Sequence, residues 1–485
     1  MPYQKFTKDV GIIGVTKFLI ALKGLIVLPI ITKILGAEDY GIWAQLMVTM
    51  AFIIPITTLN LPNAILRFLP AEKDKKEIQD GIYSVLAITI GISLIIGLIL
   101  IFFSIPISIF FGCEKILVQI FAFVAILECI NLTLLNIFMA FRQTKKCSFF
   151  LIFDNLGGAG LIAIAILLGY GLLGAVLSFL IIKLITFLLM AIFIIKKISL
   201  KNPNFLKIKE YLHFSLPLIP QGFSGSVVQF SDKYLIGFFL GTLFVGYYAP
   251  AYAIGNIIYF FVGPFFFLLP AILAKSYDEN KINETKTYLK YSLKYFLMIA
   301  IPSVFGLSIL SKQLLIILST PEIAQQGHSV LPIVALAILL LGISGIIGHI
   351  IILKKKTRVS AVIWIGAALL NLGLNFIFVP KFGIIGAAIT TLIAYTFVLI
   401  STSCYCFKNL KFKFEIGWKF ILKSILASIL MSLFIFWFDP MGLLKTMVAI
   451  VSSMLLYGIL IFLFKGINKN EINFFRRFFK KAKNF

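Results

Sequence analysis

Six lysines stand inside apolar stretches of this 485-residue chain: Lys17, Lys23, Lys183, Lys233, Lys294 and Lys423. An ammonium group within lipid is costly, so such residues usually face a bundle interior or a wet cavity. Lys17 and Lys23 lie six residues apart, which places them about 120° apart around a helix and about 9 Å apart along it. Both can border one wide cavity, and Lys23 lies too deep in its segment to snorkel to the surface. The stretch 214–240 is the most polar of the apolar runs. Gln221, Ser224, Gly225 and Asp232 share one helical face there, Gln229 borders it, and Lys233 points elsewhere. Asp232 reads either as half of a structural ion pair or as a ligand for substrate or a coupling ion. Glu128 is the second candidate for ion coupling or gating. Asp154 and Asn155 read as helix caps, Lys183 and His349 as ligands or as satisfied structural groups. Lys294 and Lys423 are near enough to a segment end to snorkel. Arg67 closes an apolar segment, where it serves topology, gating or headgroup capture. Lys17, Lys23, Lys183 and Lys233 stand against Glu128 and Asp232, so a cavity they line attracts anions, and phosphate suits lysine as a point charge.

Other chemistries find no support. The chain has three His and no Ser/His/Asp set, paired carboxylates or His-x-x-x-His motif in a usable context. No glycine-rich loop runs into Lys-Ser or Lys-Thr, so phosphate cradling for ATP hydrolysis is not expected. The five Cys form no metal-ligand or disulfide framework. The expectation is a protein that is not an enzyme, with no cofactor and no metal. A net charge of +25 raises nucleic acid as a partner, but its placement argues against that.

The elements that must position these residues are membrane helices. Hydrophobic residues make up 60% of the chain, and they fall into about fourteen runs of bilayer-spanning length, from 10–32 to 443–464. Lys and Arg gather in every second connection, while the alternate ones hold only Lys33, Lys115, Lys312, Lys381 and Lys445. That asymmetry predicts a multi-pass protein of the cell membrane with both termini cytoplasmic. The basic residues also meet anionic membrane lipids. The first run is too long for a cleavable leader and carries two lysines. The tail 465–485 interleaves Phe474, Phe475, Phe478 and Phe479 with Arg and Lys, which suits an amphipathic surface helix or a plain topology-setting tail.

The chain repeats itself. Leu35-Gly36 followed by Gly41 and Ala44 returns as Leu240-Gly241 followed by Gly246 and Ala249. Leu69-Pro70-Ala71 returns as Leu269-Pro270-Ala271, and Gly171-x-x-Gly174-Ala175 as Gly383-x-x-Gly386-Ala387. The common order and near-constant offset predict two parallel six-helix repeats. The first covers 1–200 and the second 201–413, with an added helix pair at 414–464. Carriers built from repeats bind substrate between them and alternate access.

Four stretches resemble the polysaccharide-biosynthesis flippases: Lys8-Asp-Val-Gly-Ile-Ile-Gly14, Leu35-Gly36 with Tyr40-Gly41, Arg67-Phe-Leu-Pro-Ala-Glu72, and Ser231-Asp-Lys-Tyr-Leu-Ile-Gly237. These are the Wzx-like exporters of O-antigen and oligosaccharide lipids, within the multidrug/oligosaccharidyl-lipid/polysaccharide superfamily. The resemblance implies an all-α, MATE-like fold and translocation of a polyprenyl-(di)phosphate-linked oligosaccharide between leaflets. It implies that Lys17, Lys23 and Lys233 hold the phosphates, and the residue pattern itself adds Gln221, Ser224 and Arg67 as further candidate cavity residues. Lys233 stands where the pattern often shows Arg, which removes bidentate phosphate recognition at that position. Coupling to protons or sodium, and partnership with glycan polymerase or ligase machinery, follow from the same resemblance. The alternatives are an organic-cation exporter of the same superfamily and an uncoupled lipid scramblase or assembly scaffold.

Overall fold

Lipid offers no hydrogen bonds, so a chain this apolar must satisfy its backbone within each segment, and helices do so. The computed structural model describes residues 2–72, 74–198 and 204–466, and among them there are nineteen α-helices and no strand. Among the described residues, eleven helical segments are long and apolar enough to cross a membrane, so the count of fourteen is not confirmed. Two of the eleven, Ile26–Thr57 and Thr357–Asn409, each overlap two of the expected runs and bend at Gly36 and Gly383. The expected run 214–240 contains the helix Ile219–Leu240, which is not among the eleven. The basic tail beyond Gly466 lies outside the described residues.

The helices pack into two compact units, one of 1–253 with 318–323 and 360–394, the other of 254–317 with 324–359 and 395–485. In the first, Leu61, Ile65, Val85, Ile137 and Phe138 form one core cluster, and Ile31, Leu46, Phe121, Val124 and Ile162 another. In the second, the Phe296 ring packs against Gly342 by its Cζ end, where a Cβ would come within 2.2 Å of it. Large apolar side chains also cover the outside. Trp418 and Trp437, at opposite ends of the helix Trp418–Phe438, are 67% and 82% exposed. At about 1.5 Å per residue they stand about 28 Å apart, close to the thickness of a hydrocarbon core, as aromatic belts require.

The paired positions of the internal repeat share backbone conformation. Gly36 has φ 83° and ψ −173°, and Gly241 has φ 95° and ψ 166°. Gly171 and Gly383 match at φ 59° and 62°. Only glycine enters this region without steric cost, which is why the Leu-Gly pairs recur at these joints. The two Leu-Gly joints also meet. A Cβ on Gly41 would lie 2.1 Å from the carbonyl oxygen of Thr242, and one on Gly246 would lie 1.8 Å from that of Ala37. Ala37 and Thr242 are themselves partners in the repeat, so the contact is reciprocal. Lys207 Nζ bonds Glu72 at 2.7 Å and Glu77 at 3.0 Å, tying the segment after Ala71 and the first turn of the helix Lys75–Phe102 to the turn Phe205–Lys207.

Candidate functional site

The first unit gathers most of the predicted ionisable residues into two groups. In one, Lys183 Nζ lies 2.6 Å from Glu128 Oε2 and 2.6 Å from Asp154 Oδ2. Asn131 Nδ2 donates to the Lys183 carbonyl at 2.9 Å, joining the helices Lys115–Ala140 and Gly171–Ile198 at the same level. Asp154 and Asn155 do not cap a helix. They sit in a π-helical turn, Phe153–Gly157, inside a continuous helical run. A π turn advances the chain by one extra residue, which rotates both side chains toward neighbouring helices. Asp154 reaches Lys183, and Asn155 Oδ1 accepts from Lys23 Nζ at 3.3 Å. Lys23 therefore meets a neutral amide, while Lys183 is neutralised by two carboxylates.

The second group surrounds Asp232, which is fully buried in the helix Ile219–Leu240. Its Oδ1 accepts from the Lys233 backbone N–H at 2.7 Å, and the Tyr248 hydroxyl donates to its Oδ2. One residue earlier, Ser231 Oγ donates to Asn371 Oδ1 at 3.0 Å. Asn375 Nδ2 donates to the same oxygen at 3.1 Å, and Thr390 Oγ1 donates to Asn375 Oδ1 at 2.7 Å. Asn371, Asn375 and Thr390 are fully buried. Buried polar groups of this kind are expensive unless bonded, and here they bond one another. Sequence reasoning missed this half of the site. The signal was present: Asn371-x-x-x-Asn375 places two amides on one face of an otherwise apolar helix.

The remaining predicted residues are dispersed. Lys233 is buried with its ammonium 4.2 Å from the Tyr252 ring centre and 5.2 Å from that of Phe230, a cation–π setting, and no carboxylate pairs with it among the described residues. Ser224 Oγ is turned back to the Pro220 carbonyl at 2.7 Å. Arg67 is exposed and lines an open cleft. His349, in the second unit, is buried. The side chains of Lys17 and Gln221 lie outside the described residues. No group of three or more His, Cys, Asp or Glu is placed to hold a metal ion among the described residues.

Known proteins share this sequence pattern and this fold. A family model described as polysaccharide biosynthesis protein matches residues 6–276, and one described as lipid II flippase MurJ matches 147–458. The probable low-salt glycan biosynthesis flippase Agl15 of Haloferax volcanii is 24% identical over 278 residues, covering 56% of this chain and 58% of that protein. The probable flippase AglR of the same organism is 29% identical over 179 residues, 34% of this chain and 35% of that one. The chain thus aligns with little more than half the length of the first of these relatives, and about a third of the second. Among solved structures, the lipid II flippase MurJ in an inward closed conformation superposes with a TM-score of 0.72 over 92% of this chain and 97% of that chain, at 20% identity. An inward-facing MATE multidrug resistance transporter of the MOP superfamily gives 0.65 over 82% and 99%, at 18% identity. These likenesses establish a MurJ- and MATE-like helical fold, and a family match over more than half of its length makes this chain a multi-pass membrane member of the polysaccharide biosynthesis protein family.

Proposed function

We propose that the protein moves a polyprenyl-(di)phosphate-linked oligosaccharide from the inner to the outer leaflet of the cell membrane by alternating access. The observation that carries the reading is the polysaccharide-biosynthesis family match across 6–276. The sorting of the buried lysines supports it. Lys183 is neutralised by Glu128 and Asp154, whereas Lys23 meets an amide and Lys233 meets rings, with no carboxylate paired to either among the described residues. Those two ammonium groups, with the predicted Lys17 and Arg67, are the cations that would meet a phosphate. Residues 1–200 and 201–413 act as the two halves, with 414–464 as an appended pair, and the termini stay cytoplasmic. Asp232 and Glu128 are the coupling candidates. Asp232, bonded by Tyr248 and beside the Ser231–Asn371–Asn375 chain, suits a proton or sodium ion whose binding rearranges the network. The protein does no covalent chemistry on its substrate, and the sugars pass on to polymerase or ligase machinery outside.

The test is translocation of a fluorescent polyprenyl-diphosphate oligosaccharide in proteoliposomes, with and without an ion gradient. Gradient-dependent transfer that falls in Lys23→Ala and Lys233→Ala supports the reading. Export of organic cations without glycolipid transfer would replace it with the multidrug one, and transfer indifferent to any gradient would replace it with a scramblase.

A further inference from the structure

The cleft beside Arg67 offers more than the phosphate and ion chemistry above uses. An open cleft of about 760 Å3 is lined by Asn60, Asn63, Arg67, Gly222, Gly225 and Trp364. Its size falls within the range of sites that hold a drug-sized ligand. Three kinds of recognition group converge on it. Asn60 and Asn63 offer carboxamides, each a donor and an acceptor on one planar head. Asn60 stands at the start of the helix Leu61–Phe68 in a left-handed conformation (φ 52°), yet its side chain does not cap that helix. Arg67, in the last turn of the same helix, offers a fixed fork of donors. Trp364 offers an indole face. Among the described residues, none of these four side chains hydrogen-bonds, pairs or stacks with another protein group, although each has the chemistry to do so.

The floor is built to leave room. Gly222 and Gly225 are three residues apart on the helix Ile219–Leu240 and so share a face. A Cβ on Gly225 would meet nothing within 4 Å, and one on Gly222 would meet only Asn60 Nδ2 at 4.0 Å. Protein packing therefore does not require glycine at either position, and the space their missing side chains leave belongs to the cleft.

We propose that this cleft is a carbohydrate subsite, in which the indole of Trp364 stacks on the C–H face of a sugar ring and the Asn60 and Asn63 amides bond its hydroxyls. Arg67 meets an anionic group at the edge, a phosphate or a sugar carboxylate. The combination distinguishes a sugar from other headgroups. A ring of axial C–H bonds is apolar on its face and polar around its rim, which matches an aromatic plate beside amides. A bare lipid phosphate would use the guanidinium and leave the plate and both amides idle. The inference rests on the flippase reading and adds to it where the sugars themselves are held.

The experiment compares equilibrium binding of two probes to the purified full-length protein: a farnesyl-diphosphate-linked disaccharide, and farnesyl diphosphate alone. Wild type should bind the glycosylated probe at least about tenfold more tightly. Trp364→Ala, Gly225→Leu and the pair Asn60→Ala/Asn63→Ala should each abolish that preference while leaving farnesyl diphosphate binding unchanged. Trp364→Phe, which keeps a ring, should retain most of it. A Cβ at Gly225 meets no protein atom within 4 Å, so Gly225→Ala should fold and melt as wild type, and a melting point for Gly225→Leu equal to that of Gly225→Ala separates filling of the cleft from loss of fold. Variants that keep the wild-type preference, or that weaken both probes alike, overturn the subsite. Equal binding of both probes by wild type also overturns it but leaves the flippase reading standing. Binding of neither probe overturns the flippase reading itself.

Discussion

Removing Lys183 should expose how much the first unit depends on one ammonium group. Two carboxylate oxygens each lie 2.6 Å from its Nζ, so they are no more than about 5 Å from each other. Without the cation between them, two unit charges at that separation repel by about 3 kcal/mol at an effective dielectric constant of about 20. Breaking a buried ion pair by deleting one partner typically costs about 3–5 kcal/mol. The side chains of Glu128 and Asp154 are 26% and 16% exposed, which places this case at the lower end. Lys183→Met is therefore expected to destabilise the protein by about 3 kcal/mol. Neutralising the whole set, Lys183→Met with Glu128→Gln and Asp154→Asn, should recover most of the loss, because no uncompensated charge remains. Melting in detergent can be followed by thiol labelling at Cys129 and Cys147, which are 0% and 2% exposed when folded. A single variant that melts with wild type, or a triple variant no more stable than the single, would refute the electrostatic account.

Three further outcomes are expected. Gly246→Ala drives a methyl against the Ala37 carbonyl and should cost about 1–3 kcal/mol or more in the same melt, whereas Gly225→Ala, which meets nothing, should not destabilise. Tyr248→Phe removes the hydroxyl bonded to Asp232 and should cost about 1–3 kcal/mol, and Asp232→Asn should keep the fold while abolishing gradient-dependent transport in proteoliposomes. Hydrogen bonding with Glu77 and then Lys207 holds the Glu72 carboxyl below its ordinary value. Its contribution is thus present above the usual glutamate range near about 4.3 and is lost as pH falls through the lowered value. With Glu72 20% and Lys207 34% exposed, that contribution is about 0–1 kcal/mol, so amide protection across 74–80, corrected for the intrinsic slowing of exchange in acid, should fall only slightly on acidification, and Lys207→Ala should move the onset to higher pH.

The apolar runs and the charge asymmetry of the loops carry the membrane fold plainly, because in lipid the backbone leaves few options. The Leu-Gly repeats were legible for a similar reason: a positive φ at Gly36 and Gly241 admits few other residues. The sites were less so. Glu128, Asp154 and Lys183 each stand out as charges in apolar runs, but their meeting depends on which helices pack together and on a π turn that no periodicity announces. Asn155 reads as a cap until the extra residue of that turn aims it at Lys23. Asn371, Asn375 and Thr390 escaped notice because they are uncharged, although an amide in lipid is also costly. Nothing in the sequence singles out Trp364, and only its convergence with Asn60, Asn63 and the two glycines gives it a setting.

The crossing of the two Leu-Gly joints has a consequence for how the protein ages in sequence and moves in space. Its contacts run from glycine to carbonyl oxygen, main chain against main chain, at Gly41 with Thr242 and at Gly246 with Ala37. Such a seam has almost no vocabulary of side chains, so substitutions around it leave it unread, while a single methyl at either glycine wedges it open. Close Cα–H to carbonyl contacts are each weak, about 0.5–1 kcal/mol, and need no rotamer to be found before they form. Such a closure fits by shape, without side-chain teeth, and each contact in it is cheap to part.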